Sequence, residues 1–351
     1  LISNKNILVS PLNWGLGHAS RCIPIINELI KSKFNPIIAS DGDALSLLQK
    51  EFPKLESIEL PSYNINYPKN GNLLKWKLIL DLPSVLKVIK KEKKIVDQLV
   101  ESKKLIGIIS DNRFGIRSSK VPSVFITHQL NVLSGSTTFL TSKLHQKYIN
   151  KFDECWIPDI DSDKNYAGVL SRSKKIKNPK FIGLLSRFRK EELVLKYDLL
   201  VLLSGVEPLR SQLEKRIISE LKNYSGKVLF IKGKIENKQT KEIIKNITFY
   251  NYLLTDELQK AINQSELIIA RSGYSTIMDL AVLGKKVYFI PTTGQYEQEY
   301  LAKHLKRLSI APFAKTKNFT IKTILEVENY NGFTSYKKND FSDLLNLFQS
   351  K

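Results

Sequence analysis

Leu267-Ile268-Ile269-Ala270, running into Arg271-Ser272-Gly273-Tyr274-Ser275-Thr276-Ile277-Met278-Asp279, reads as a short apolar strand, a polar turn and the opening of a helix. A continuous apolar run bounded by turn residues suits a strand buried on both faces of a parallel sheet. The helix is predicted over Ser275–Leu283. The same unit recurs outward from this point. Strands are predicted at Leu199–Leu203, Lys227–Ile231, Ile247–Tyr250 and Lys286–Ile290, with helices over Pro208–Lys222, Leu258–Gln264 and Tyr296–Leu305. The first half repeats the pattern, with strands at Ile7–Ser10, Pro36–Ser40, Leu105–Ser110, Ser123–Thr127 and Glu154–Ile157 and helices over Ala19–Ser32 and Ala44–Glu51. Strand-length apolar runs alternating with amphipathic helices predict parallel sheets covered on both faces. The expected architecture is α/β: two doubly wound Rossmann-like domains facing across a cleft, with ligands at the carboxyl ends of the strands.

The domains are expected at 1–187 and 196–325. Residues 326–351 form a tail whose helix, Phe341–Phe348, is expected to pack back on the N-terminal domain. Leading from one domain to the other, Arg172–Lys190 carries eight basic side chains and no acidic one. Over the 351 residues, 55 Lys and Arg oppose 34 Asp and Glu, a formal charge of +21. That excess points to an anionic partner, whether nucleic acid, an acidic lipid surface or a phosphorylated small molecule. The sequence contains no zinc finger, aromatic-rich strand motif or recognition-helix pattern, so nucleic acid is not the expected partner. Cys22 and Cys155 lie far apart, and the four histidines lack a His-x-x-x-His spacing, so neither a metal nor a cofactor is expected. No run reaches the ~18 apolar residues of a membrane span and no leader pattern opens the chain, which is read as cytosolic.

Four strand-end loops carry the chemistry. In Pro11-Leu12-Asn13-Trp14-Gly15-Leu16-Gly17-His18-Ala19-Ser20-Arg21, two glycines free the backbone between a strand and a helix that His18 opens. The positive helix end disfavours imidazolium, which suits His18 to act as a general base. Asp111, at the end of Leu105–Ser110, is placed to orient or replace that base. The structural alternative is a tight turn with a capped helix; the dinucleotide fingerprint is not met, since Ser20 stands where its third glycine belongs.

In the second half, Ser272, Gly273, Ser275 and Thr276 with first-turn N–H groups suit a diphosphate, and Asp279, one turn on, suits the paired hydroxyls of a ribose. The alternative there is N-capping by Ser272 or Ser275. Gln295 and Gln298, in Pro291–Glu299, offer amides to sugar hydroxyls; the alternative is a solvated first turn. Ser204 and Gly205 lie in the strand-to-helix turn Leu203–Pro208. Asp41-Gly42-Asp43 and Asp159-Ile160-Asp161 have the residue order of a metal motif but lie in the first half, away from these loops.

The Arg-Ser-Gly-x-x-Thr-x-x-Asp block of Arg271–Asp279 resembles the Arg-Ser-Gly-x-x-Thr-x-x-Glu of GT-B glycosyltransferases, in particular the MurG-like enzymes of family 28, which add N-acetylglucosamine to a lipid-linked muramyl peptide. Asp279 replaces the ribose-binding glutamate of that family. Gln298 falls at its donor-sugar glutamine, with Leu301-Ala302 in place of an Asn-Ala pair. His18 matches the histidine that ends its N-terminal glycine-rich loop. Thr127-His128-Gln129-Leu130-Asn131 is similar to its acceptor-side His-Glu-Gln-Asn segment, which implies an acceptor side of Gly15, Gly17, His128, Gln129 and Asn131. The resemblance implies transfer of a sugar from a UDP-sugar, such as UDP-N-acetylglucosamine, to an acceptor hydroxyl with inversion and without a metal. UDP would rest at the helix near Gly273, helped by Arg271. A lipid-linked acceptor and a peripheral place at the inner face of the membrane are implied as well.

Gly15–Cys22 is also similar to the Gly-x-Gly-His-x-x-Arg-Cys loop of UDP-sugar hydrolases from pseudaminic acid biosynthesis, which share the fold and use water. A basic nucleic-acid-binding protein is the alternative of a different class. Finally, Leu73–Lys94 mixes Trp76 and leucines with seven lysines, a composition suited to an anionic lipid surface. Pro83 is expected to break this segment, and the alternative is an ordinary amphipathic helix with solvated lysines.

Overall fold

The computed structural model describes residues 5–63, 82–336 and 342–349. The chain forms two compact units that part between Leu185 and Ser186, with the C-terminal segment returning to the first. The first unit is built on seven strands: β1 (Asn6–Pro11), β2 (Asn35–Ser40), β3 (Ser57–Glu59), β4 (Leu105–Asp111), β5 (Ser123–Ile126), β6 (Glu154–Ile157) and β7 (Pro179–Phe181). They pair in parallel in the order β3-β2-β1-β4-β5-β6-β7. Helices α1 (Gly17–Lys31), α2 (Gly42–Glu51), α3 (Leu82–Ser102) and α4 (Thr138–Ile149) belong to the same unit. The three-residue strands β3 and β7 were not expected, because neither carries an apolar run that distinguishes it from a loop.

The α3 helix buries Val88, Glu92, Val96 and Val100, and Val96 and Val100 pack on Leu8, Ile37 and Ile108. Its Lys87, Lys90, Lys91 and Lys94 are exposed. Pro83 lies in the first described turn of this helix, so the expected break there involves residues outside the described ones. Of the stretch expected to meet lipid, residues 73–81 lie outside the described residues. At the other end of the chain, Ser342–Phe348 forms a 3₁₀ helix, with residue 341 outside the described residues. Phe348 lies over Gly107 of β4, where a methyl group would stand 2.2 Å from the ring. It also meets Trp156 edge-on at 6.3 Å between centroids.

The second unit holds β8 (Tyr197–Leu202), β9 (Val228–Ile231), β10 (Lys241–Ile244), β11 (Ile247–Tyr250), β12 (Ser265–Ala270) and β13 (Lys286–Phe289). Their order is β10-β11-β9-β8-β12-β13, parallel except for the β10–β11 hairpin. Helices α5 (Leu209–Leu221), α6 (Thr255–Asn263), α7 (Tyr274–Leu283) and α8 (Tyr296–Arg307) complete it. The core gathers Leu199, Val201, Phe230, Phe249, Ile269 and Tyr288. Strand β10 escaped the sequence reading because all four of its residues are exposed.

Both sheets are doubly wound, so each has a point where successive strands stop adding on one side and begin on the other. That point lies between β1 and β4 in the first sheet and between β8 and β12 in the second. Diverging loops leave a crevice at such a switch, outside the carboxyl ends of the strands. His18 follows β1 and Asp111 ends β4. Ser204 follows β8 and Arg271 follows β12.

Candidate active site

The candidate site of the first unit begins with strand register. Pro11 of β1 pairs with Asp111 of β4, and the Leu12 N–H donates to the Asp111 carbonyl at 2.9 Å. Gly15 turns the chain at φ 74°, a conformation that glycine alone enters without strain. Helix α1 then starts at Gly17, which puts His18 and Arg21 three residues apart on one helix face. His18 Nδ1 lies 2.7 Å from Asp111 Oδ1. The Arg21 guanidinium clamps the same carboxylate from the other side, Nε donating to Oδ2 and Nη2 to Oδ1. Arg21 also reaches His128 Nδ1 at 3.2 Å and His18 Nδ1 at 2.9 Å, and the Cys22 thiol donates to Asp111 at 3.8 Å.

Asp111 is fully buried and Arg21 is 2% exposed, whereas His18 is half-buried. Burial would raise the Asp111 carboxyl, but the Arg21 and His18 charges and hydrogen bonds outweigh it and hold the group at about 2. A carboxylate so paired is a poor proton acceptor. Its geometry is that of an orienting group: in the tautomer whose Nδ1–H is donated to Asp111, His18 keeps a lone pair on Nε2, and Arg21 Nη2 then donates to Asp111 and not to the ring. Arg21 was not among the sequence candidates. Its signal was the three-residue spacing from His18 on one helix.

The acceptor-side residues divide. His128 joins the cluster through Arg21, and the half-buried Gln129 lies next in the chain, its N–H held by Thr127 Oγ1 at 3.0 Å. Asn131 does not join it. Its Nδ2 donates to the carbonyls of Val169 and Arg172 at 2.8 and 2.7 Å, which occupies the amide in bracing the basic connector. Both metal-like acid pairs have structural partners: Asp41 accepts from the buried Arg113 at 2.6 Å, and Asp159 from Ser171 Oγ at 2.6 Å and the Ile160 N–H at 2.9 Å.

The candidate site of the second unit is built mostly from backbone. Arg271 is 2% exposed and donates to the carbonyls of Leu209 (2.9 Å), Ile290 (3.1 Å) and Pro291 (3.0 Å). It thereby ties together the loops that follow β8, β12 and β13. No carboxylate bonds to it among the described residues, its Nε has no partner, and burial lowers it to about 10. The guanidinium that the resemblance implies beside the leaving group is turned onto these carbonyls. Ser272 is also bound within the fold. It is fully buried, and its Oγ donates to the Gln298 carbonyl at 2.8 Å, so it is neither cap nor exposed ligand.

Gly273 is the N-cap of α7, with no side chain to cover the first-turn N–H groups, which have no acceptor within the helix. Ser275 and Thr276 sit half-buried in that turn. A Cβ placed on Gly273 would meet only Gln298 Nε2, at 3.9 Å. Gln298 is held by its Oε1, which accepts the Thr292 N–H at 2.9 Å, so its amide nitrogen rests beside Gly273. Gln295, half-buried, immediately precedes α8. After β8, Ser204 is half-buried and Gly205 is exposed, with φ 102° and open space where a Cβ would stand.

Sequence reading missed Gly233, where a Cβ would lie 2.2 Å from the Leu203 carbonyl; glycine there lets the β9 loop press against the β8 loop. Asp279 accepts from Ser186 Oγ at 2.6 Å. Burial pushes its carboxyl up to about 6 against the opposing pull of Arg187 and the Ser186 bond.

Residues 201–329 match the glycosyltransferase family 28 C-terminal domain. The chain is 22% identical over 224 residues to the UDP-N-acetylglucosamine–N-acetylmuramyl-(pentapeptide) pyrophosphoryl-undecaprenol N-acetylglucosamine transferase of Haemophilus ducreyi, a match covering 60% of this chain and 58% of that enzyme. It is 26% identical over 350 residues to an uncharacterized glycosyltransferase of Methanosarcina acetivorans, covering 92% and 89%. The solved structure of Acinetobacter baumannii MurG superposes with a TM-score of 0.53 at 12% identity, covering 99% of this chain and all of that one. At that identity the superposition speaks to the fold, which is GT-B.

Proposed function

We propose that this chain is a glycosyltransferase that moves a sugar from a UDP-sugar to an acceptor hydroxyl, with inversion and without a metal. The observation that carries the reading is the His18–Asp111 pair at the first switch point, a half-buried imidazole backed by a buried carboxylate at 2.7 Å. His18 Nε2 takes the proton of the acceptor hydroxyl while Asp111 holds the ring in that tautomer and balances the imidazolium that forms. The acceptor oxygen bonds to the anomeric carbon as the bond from that carbon to the UDP oxygen breaks. Charge developing on the diphosphate falls to the first-turn N–H groups of α7 with Ser275 and Thr276, while Gln298 and Gln295 meet sugar hydroxyls. Asp279 meets the ribose, and His128 and Gln129 flank the acceptor.

The match over 201–329 supports a nucleotide-sugar donor, and the relative's name supports UDP-N-acetylglucosamine with a pyrophosphoryl-undecaprenol-linked acceptor. One observation favours a second outcome. Arg21 and Cys22 both touch Asp111, and they are the residues that make the N-terminal loop similar to the UDP-sugar hydrolases. A UDP-release assay across donor sugars, with and without a polyprenyl-phosphate acceptor, separates the two. Release that requires the acceptor is the expected result; equal release without it replaces the transferase by a hydrolase, and no release with any donor removes both.

A further inference from the structure

Strand β4 ends at Asp111, and the next residue, Asn112, was not among the sequence candidates. Its backbone turns at φ 60°. A side chain in that left-handed region is uncommon, although asparagine enters it more readily than most. Among the described residues, the other non-glycine positions of this kind are ordinary turns: Lys33, Lys104 and Ser309 follow helices, Lys245 lies in the β10–β11 hairpin and Asn178 leads into β7. Of this set, Asn112 alone stands at the carboxyl end of a strand beside a switch point.

The turn is held from both sides. Ser110 Oγ donates to the Arg113 carbonyl at 2.6 Å. The Arg113 guanidinium is fully buried and donates to Glu92 of α3 at 2.7 Å, to Asp41 at 2.6 Å and to the Pro61 carbonyl at 2.7 Å. The Gly115 N–H donates to Glu92 at 3.0 Å, and a Cβ on Gly115 would lie 2.4 Å from the Ile89 carbonyl, so α3 packs directly on this turn. Such a network costs the desolvation of its charges and fixes the direction of the chain between Asp111 and Arg113.

The Asn112 side chain is the part of this turn that the fold does not use. It is half-buried, and its one contact within hydrogen-bonding reach among the described residues is His18, with Nδ2 3.5 Å from Nδ1. That separation is at the limit of a hydrogen bond, and Nδ1 is already engaged by Asp111 at 2.7 Å. The amide's donors and its acceptor oxygen are therefore left beside the proposed base. Asn131, by contrast, spends its amide on two carbonyls. We infer that Asn112 is an acceptor-contacting residue, whose amide hydrogen-bonds a hydroxyl or acylamino group neighbouring the hydroxyl that His18 deprotonates. The inference rests on the transferase reading.

The test is steady-state UDP release from UDP-N-acetylglucosamine, with N-acetylmuramyl-(pentapeptide) pyrophosphoryl-undecaprenol as acceptor, for the wild type, Asn112→Gly and Asn112→Asp. Glycine takes this φ without strain, so a wild-type melting temperature is the folding check, and aspartate keeps the side chain's shape should glycine loosen the turn. The acceptor KM is expected to rise about tenfold in Asn112→Gly, the scale of one lost hydrogen bond, with kcat and UDP affinity within about threefold of wild type. A rise in both variants assigns the contact to Nδ2, and a rise in the glycine variant alone assigns it to Oδ1. Slow release without acceptor, where water takes its place, is expected to be unchanged. An acceptor KM unchanged in both variants overturns the inference. An equal loss in acceptor-free release overturns it too, by placing the effect of Asn112 on His18 itself. Wild-type release indifferent to the acceptor is a different failure: it removes the transferase reading, and this contact with it.

Discussion

Each unit carries a candidate site at the equivalent place of its sheet, and the two are built from opposite materials. At the first switch point, ionised side chains do the work. Asp111 is buried, but Arg21 and His18 surround it, so the charge is matched within the fold. At the second, the polar groups are largely main-chain N–H groups, and the buried Arg271 has carbonyls for partners and no carboxylate bonded to it among the described residues. In the proposed reaction, the group that moves a proton needs its tautomer and charge fixed beforehand, whereas the place that receives a diphosphate leaving group needs positive potential left unmatched until the ligand arrives. The contrast extends to the two aspartates: Asp111 is pulled down to about 2 and Asp279 is pushed up to about 6.

The contrast can be broken most directly at His18. His18→Ala is expected to lower kcat by about 10³–10⁴-fold while UDP binding, followed by calorimetry, stays near wild type. Turnover within a few-fold of wild type would reject the base. Asp111→Asn comes next, with an expected loss of about 10²–10³-fold in kcat, because an amide no longer accepts the His18 proton unambiguously. It should also cost stability. The folded carboxyl titrates near 2, below its ordinary 3.8, so its contribution is present above about pH 4 and disappears as pH falls through 2. That is about 2 kcal/mol at neutral pH, read as the difference between urea unfolding curves at pH 7.

Gly273→Ala tests the backbone-built site of the second unit with little strain, since the new methyl meets only Gln298 Nε2, at 3.9 Å. The melting temperature should hold while UDP affinity drops roughly tenfold, the scale of one obstructed hydrogen bond to an ion. Equal affinity in the variant would move the diphosphate away from α7. The smallest effect carries the opposite sign to that at Asp111. Asp279 titrates above its ordinary value in the folded state, so it favours folding below about pH 4 and loses that contribution as pH rises through 6. Asp279→Asn should therefore gain about 1–2 kcal/mol at pH 7 and nothing at pH 4, while weakening UDP relative to pyrophosphate. A loss of stability at pH 7 would show that the Ser186 bond outweighs burial.

Much of the fold was legible because burial writes itself into residue type. Runs such as Leu267–Ala270 and Leu105–Ser110 are apolar on both faces, and a strand covered by helices on both sides demands that. What escaped has a physical explanation. Strand β10 is exposed throughout, so it has no apolar period to read, and β3 and β7 are three residues long. In the candidate site, residues whose roles depend on backbone alone were visible as Gly273, Gly205 and Gly15. Residues whose roles depend on partners were less legible: Ser272, Asn131 and Arg271 look like ligands in a string of letters, but Ser272 and Asn131 donate to carbonyls of the fold and Arg271 turns most of its guanidinium onto carbonyls.

Local sequence alone determined where strands end and helices begin, and that the loops between them are rich in glycine, hydroxyls and amides. Periodicity and turn chemistry act over a few residues, so they can be read without knowing the fold. Tertiary structure decided which polar groups remain available. Arg21 meets Asp111 across 90 positions, Arg271 meets carbonyls on three loops, and Phe139 stays in solvent while Phe125 is buried. Those outcomes depend on strand order and register, which bring distant residues within a few ångströms and thereby choose which charges are matched and which apolar groups stay uncovered.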